Sequence, residues 1–221
     1  LGGKTLRNVW MVSISFITMI VAFLIWRTVT VNGVLVYVMG AETAALALPS
    51  GMAYPVRIIL EIDAFSAFMA LAGSIASFAG AMYSIHFMDR FSGLSRFTSL
   101  YFLQTAGMLG MMVTGDLFNF FVFLEISSVA SFGLVAFWRD RPESVEASFK
   151  YMLVSQLSAM MVLIAIGSLY GRYNALNMAG IASMLHLGVV EKLVLAFLVV
   201  ALAMKCGAFP MHMWMPDAYA E

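Results

Sequence analysis

DLFNFFVFLEISSVASFGLVAFW, Asp116 to Trp138, decides the fold. After its opening aspartate it holds a single ionisable side chain, Glu125. An apolar run of about 20 residues is the length of an α-helix that crosses a bilayer. Glu125 falls nine residues past Asp116. That is roughly 13 Å along a helix, near the middle of a hydrocarbon layer about 30 Å thick. The rest of the chain follows the same pattern, since 62% of its residues are hydrophobic and only 11% charged. A soluble domain needs a much larger polar surface, so the composition specifies a membrane protein. The net charge is zero, which gives no footing for nucleic acid or an acidic partner.

Apolar runs broken by charged and turn-forming residues predict seven segments: Val9 to Trp26, Val31 to Leu48, Ala64 to Met88, Phe97 to Thr114, Leu117 to Trp138, Ala147 to Tyr170, and Leu193 to Phe209. The fold class expected is all-α, a polytopic transmembrane bundle of about seven helices with the last one broken near Pro210. It forms one membrane domain over residues 1–221. PVRIILEID, Pro55 to Asp63, partly alternates and predicts a short strand or extended loop. Asn174 to Gly188 is moderately apolar and suits a helix lying at the interface. The first segment starts at Leu1 and lacks a small-residue cleavage pattern, so it reads as a retained membrane helix. With seven spans, Arg27, Arg90, Arg96, Arg139 and Arg141 fall on one face, and Lys4, Arg7, Arg57, Arg172 and Lys192 on the other. The compact arginine loops lean the orientation toward an N-terminus outside.

The charges at depth carry the functional reading. In EKLVLAFLVVALAMKCGAFP, Lys205 lies thirteen residues past Lys192, roughly 20 Å along a helix. An ionised side chain in the bilayer centre costs at least about 2.5 kcal/mol, so Glu125 and Lys205 must face protein, a counter-charge or water. A carboxylate and an ammonium balanced between desolvation and mutual attraction can exchange protons when a neighbour moves, which makes them proton-relay candidates. The alternatives are a structural ion pair, or one group reaching the interface. Lys150 follows Glu143 and Glu146 closely and reads equally as a solvated side chain and as a relay member. Asp116 stands at a helix start, where a carboxylate caps the positive end of the dipole.

The closing stretch MKCGAFPMHMWMPDAYAE, Met204 to Glu221, holds Pro210 and Pro216. Each removes a backbone donor, so the helix is expected to break after Lys205. Broken helices at mid-depth mark ion and substrate sites in transporters. Histidine is the side chain suited to passing protons near neutral pH, so His212 is a further relay candidate, with a carbonyl-bound structural histidine as the equal alternative. Asp217 caps or ends the broken section, or marks the membrane boundary if the helix ends at Pro216. The lone Cys206 and three scattered histidines give no metal cluster, and no phosphate loop, nucleophile elbow or catalytic carboxylate pair is seen. No catalytic residue, metal or cofactor is therefore assigned. The 19 methionines and 18 phenylalanines are packing or lipid-facing residues.

TGDLFNFFVFLEISSVASF, Thr114 to Phe132, and KCGAFPMHMWMPDAYAE, Lys205 to Glu221, together with YSIHFMDR and the KYMLV run at Lys150, resemble the antiporter-like membrane subunits of respiratory NADH dehydrogenase (complex I), Mrp-type cation/proton antiporters and archaeal membrane-bound hydrogenases. The TGDLFN form looks closer to the Mrp and hydrogenase branches. The resemblance runs from about Ala53 to the end. It implies that Glu125 is the family's fifth-helix glutamate and Lys205 the lysine of its broken seventh helix, with Pro210, His212, Trp214, Pro216 and Asp217 the signature that follows. It also implies residues 1–96 as N-terminal helices with a surface loop, and 97–221 as an incomplete first antiporter-like repeat. Family members have about fourteen helices, so another chain or further polypeptide must complete a path.

Three functions follow as hypotheses. The leading one is a proton or sodium/proton translocating subunit of a multi-subunit complex in the cell membrane, built on Glu125 and Lys205, with other integral subunits and a peripheral redox module as partners. A non-conducting scaffold is the second, and its mark is a dry, tightly paired Glu125. An independent redox enzyme is the third.

Overall fold

In the computed structural model, residues 2–39, 58–88 and 93–220 are described. Their order is α1 (Gly2–Asn32), β1 (Leu35–Val38), β2 (Ile59–Ile62), α2 (Ala64–Met88), α3 (Leu94–Val113), α4 (Leu117–Val135), α5 (Pro142–Tyr173), α6 (Met178–Met184), α7 (Val189–Lys205) and α8 (Trp214–Ala220). Four of these helices, α1, α2, α4 and α5, are long and apolar enough to cross a membrane. The shorter α3 and α7 pack among them, so the chain is a helical membrane bundle. α1 lies on α2, α3 bridges α2 to α4, and α5 is flanked by α4 and α7. The apolar side chains of α1, such as Phe16, Ile17, Phe23 and Leu24, are mostly exposed, as a lipid-facing surface requires.

The expected second span, Val31 to Leu48, is not a separate helix where it is described. Val31 and Asn32 end α1, and Leu35–Val38 pairs antiparallel with Ile59–Ile62 in the register Leu35↔Ile62 to Val38↔Ile59. Residues 40–48 of that segment lie outside the described residues. The run NGVLVYV shows why: Gly33 sits at φ +82, which stops the helix, and β-branched and aromatic residues follow. The strand expected within PVRIILEID is present as β2.

Removing one span changes the sidedness. The hairpin puts the end of α1 beside the start of α2, so Lys4 and Arg7 share a face with Arg96, Arg139 and Arg141. Arg27, Arg172 and Lys192 occupy the opposite face. The even split expected from seven spans is thus corrected to five against three among the described cations of helix ends and loops, leaving aside Lys150 and Lys205 within α5 and α7, and the start of α1 joins the arginine-rich loops.

Close packing of α3 on α4 rests on glycine. A Cβ on Gly107 would stand 2.7 Å from the Ser127 backbone nitrogen, and one on Gly110 2.3 Å from the Phe123 ring. Two small residues thus let two backbones meet, and this is the contact that fixes the height of Glu125.

Candidate functional site

Glu125 projects from the middle of α4 and Lys205 from the last residue of α7, 80 positions later. The Lys205 Nζ donates to Glu125 Oε1 at 3.2 Å and to the Ser128 hydroxyl oxygen at 2.5 Å. The Ser128 hydroxyl itself donates to the Leu124 carbonyl at 2.7 Å, which aims its lone pairs at the ammonium. From α5, Gln156 Nε2 donates to the other carboxylate oxygen, Glu125 Oε2, at 3.3 Å. The Lys205 side chain is 11% exposed and that of Glu125 22%. Three helices therefore converge on one ion pair that still touches solvent-accessible space.

Local chemistry explains how α7 delivers its lysine. The Ala208 N–H donates to the Ala203 carbonyl at 2.8 Å, and the Gly207 N–H to the Met204 carbonyl at 3.1 Å, with Gly207 at φ +65. This is the left-handed glycine cap of a helix C-terminus, in which two of the last carbonyls find donors beyond the helix. Gly207 ends α7 right after Lys205, before Pro210 is reached. The break expected near Pro210 is present, but glycine makes it. Pro216 does not break a helix. It stands in the first turn of α8, where a missing N–H costs nothing.

Neighbouring bonds fix the broken section on α5. Ser158 donates across to the Ala201 carbonyl at 2.7 Å. Trp214 donates from Nε1 to the Met204 carbonyl at 3.2 Å, and its ring stacks on Tyr151 at 4.2 Å. One residue before Tyr151, Lys150 Nζ bonds Glu146 at 2.8 Å and Asp217 of α8 at 2.7 Å. That cluster is about half exposed and lines a cavity of about 300 Å³ with Glu143. Lys150 therefore does not meet the buried pair directly; it ties α8 to α5 on the face of the arginine loops. His212 is exposed, with its ring 5.7 Å from that of Phe209, and is not brought to Glu125 or Lys205.

Two features escaped the sequence reading. Glu191, whose side chain is 3% exposed, accepts from the Tyr173 hydroxyl at 2.8 Å and from Arg172 Nε at 3.3 Å. No local pattern signals this, because its partners come from the end of another helix. The second is the turn before α4. Gly115 donates its N–H to the Ile59 carbonyl of β2 and accepts at its own carbonyl from the Met178 N–H of α6, each at 2.9 Å. Asp116, as expected, caps α4 by accepting from the Asn119 N–H at 2.8 Å. Burial raises its carboxyl above the ordinary aspartate range, and the helix N–H groups beside it only partly offset that. Among the described residues no group of three His, Cys, Asp or Glu side chains could hold a metal ion.

Residues 114–221 match the transmembrane family of NADH:quinone oxidoreductase and the Mrp antiporter. The chain is similar to the NADH-quinone oxidoreductase subunit N of Desulforudis audaxviator, 43% identical over 127 residues, 56% of this chain and 25% of that protein. It is also similar to a component of the Na(+)/H(+) antiporter of Alkalihalophilus pseudofirmus, 31% identical over 169 residues, 75% of this chain and 34% of that one. A chain of the membrane-bound sulfane sulfur reductase, an archaeal respiratory membrane complex, superposes with a TM-score of 0.79 at 27% identity, covering 96% of this chain and 42% of its own. The chain thus spans between a quarter and two fifths of these relatives. Identity gives no ground for setting it nearer the antiporter branch, since the oxidoreductase relative is the more identical of the two over the shorter stretch.

Proposed function

From residue 114 onward the chain belongs to the NADH:quinone oxidoreductase/Mrp antiporter transmembrane family, and on that premise we propose that it is an ion-translocating subunit of a multi-subunit complex in the cell membrane. Protons are the moving ion, with sodium exchange as the coupled alternative. Residues 97–221 act as an incomplete first antiporter-like repeat.

One observation carries the reading: the Lys205 ammonium stands between two acceptors one turn apart on α4, Glu125 Oε1 at 3.2 Å and the Ser128 oxygen at 2.5 Å. Leaving the carboxylate does not strand the ammonium, because Ser128 holds it. Nor does it strand the carboxylate, because Gln156 keeps a donor on Oε2. A charge moved a few ångströms in a low dielectric changes which protonation states are stable. In this reading, Lys205 takes a proton when paired with Glu125 and releases it when drawn away. The glycine-capped end of α7 is the joint that permits the shift. Lys150 and Asp217 then form the outlet on the arginine-rich face, with the Tyr151–Trp214 stack between outlet and pair.

A scaffold would call for a sealed pair, whereas the Glu125 side chain of this chain keeps 22% exposure. The test replaces Glu125 by Gln and Lys205 by Met separately in the complete complex, verifies assembly, and follows proton and sodium uptake in vesicles. Loss of uptake in both variants supports the assignment; normal uptake in both removes it in favour of the scaffold.

A further inference from the structure

Away from the ion pair, a cavity lies at the C-terminal end of α4, where α3 and α5 begin. It measures about 460 Å³ and is lined by Ser95, Arg96, Ser99, Leu100, Gly133, Ala136, Phe137, Arg139 and Val145. Both arginines are exposed, neither makes an ion pair with a described residue, and no carboxylate lines the cavity. Arg96 folds back so that a Cβ on Gly93, at φ +88, would lie 3.0 Å from its Nη2. Arg139 follows Trp138, itself under the Arg141 guanidinium at 5.8 Å. The first turn of α3 has no acidic residue, and its N-cap, Gly93, offers no side-chain acceptor, so the positive end of that helix adds to the arginines.

The lower wall is of opposite character. Leu100, Ala136, Phe137 and Val145 continue into the lipid-facing surface, where Leu103 and Val145 are 40% and 47% exposed. Tryptophan beside arginine marks the headgroup level of a membrane. A soluble anion has no use for an apolar wall, but a phospholipid has both parts. We infer that this pocket binds a phosphate group, presented by an anionic phospholipid of the leaflet facing the arginine-rich loops: Arg96 and Arg139 bracket the phosphate, Ser95 offers its hydroxyl, Ser99 adds a second by turning from the Ser95 carbonyl to which it donates at 3.1 Å, and the acyl chains descend along Leu100 and Val145. The inference stands apart from the ion-translocation reading, because it uses none of the residues of that site.

The experiment uses the assembled complex with the full chain in nanodiscs of equal phosphatidylglycerol and phosphatidylcholine. A photoactivatable phosphatidylglycerol is cross-linked and the labelled peptides mapped. Label within Ser95–Leu100 or Ala136–Val145 is expected, with occupancy falling about 25-fold in the paired variant Arg96→Gln/Arg139→Gln, on the basis of about fivefold per arginine, and unchanged in Arg27→Gln. Phosphatidylcholine carrying the same photogroup should label these peptides far less. Unlabelled inorganic phosphate at millimolar concentration should not displace the lipid; displacement would assign the pocket to a free anion and overturn the lipid. If the paired variant fails to assemble, the wild-type map decides alone: label confined to other peptides, or equal for both lipids, overturns the inference.

Discussion

Glu125 and Lys205 should behave as one unit in stability, and the size of their coupling follows from the geometry. Two unit charges 3.2 Å apart attract by about 5 kcal/mol at an effective dielectric constant of about 20. Side-chain exposures of 11% and 22% let water weaken this, and Ser128 and Gln156 already satisfy part of each group. A net coupling of about 3 kcal/mol remains, the low end of what breaking a buried pair costs. Glu125→Gln leaves an ammonium facing a neutral amide, and Lys205→Met leaves a carboxylate with one amide donor, so each should cost about 3 kcal/mol. The double variant contains no orphaned charge and should cost about as much as either single one. Reversible denaturation in mixed micelles reads this out through the fluorescence of Trp214, which hydrogen-bonds the carbonyl just before Lys205. If the double variant costs the sum of the single ones to within about 0.5 kcal/mol, the two groups are independent and the reasoning fails.

Gly107→Ala should destabilise the chain by about 1 to 3 kcal/mol, since the added methyl meets the Ser127 backbone; Gly167→Ala, with nothing within 4 Å, should be neutral or stabilising, and melting temperatures compare them. Asp116 holds its proton more tightly when folded than when unfolded, so its contribution is fully present below the ordinary aspartate range and is lost as pH rises through the raised value. Asp116→Asn keeps an acceptor for Asn119 and should flatten stability against pH across that window, whereas Asp116→Ala should lower stability by about 1 kcal/mol at every pH. Cysteines introduced at Lys4 and Arg139 should react with an impermeant thiol reagent from the same side, the cytoplasmic one, while a cysteine at Arg172 reacts from the other; opposite labelling of Lys4 and Arg139 would restore the lost span.

Much of the molecule was legible because bilayer chemistry acts locally. Five of the six long helices described were marked to within a few residues by apolar runs, and the place of Glu125 in the middle of α4 followed from counting along one helix. Asp116 declared itself a cap, since a helix start with a carboxylate has one economical use for it. Where several local rules competed, the reading went astray. Val31 to Leu48 is as apolar as a span, but Gly33 and the run LVYV favour a hairpin, and the partner strand that settles it lies more than twenty residues on. Pro210 is a strong local breaker, but Gly207 comes first and its left-handed conformation ends α7.

The sequence by itself determined that this is a membrane bundle carrying a carboxylate and an ammonium within its apolar runs, because the cost of burying charge and backbone depends on each helix separately. Only the tertiary structure decided that Lys205 meets Glu125 and Ser128, that His212 stays outside, that Glu191 is buried against Tyr173, and that Arg96 and Arg139 share a cavity. Those juxtapositions depend on how far α3 sinks against α4 and where α7 stops beside α5, which are set by contacts between residues distant in the chain.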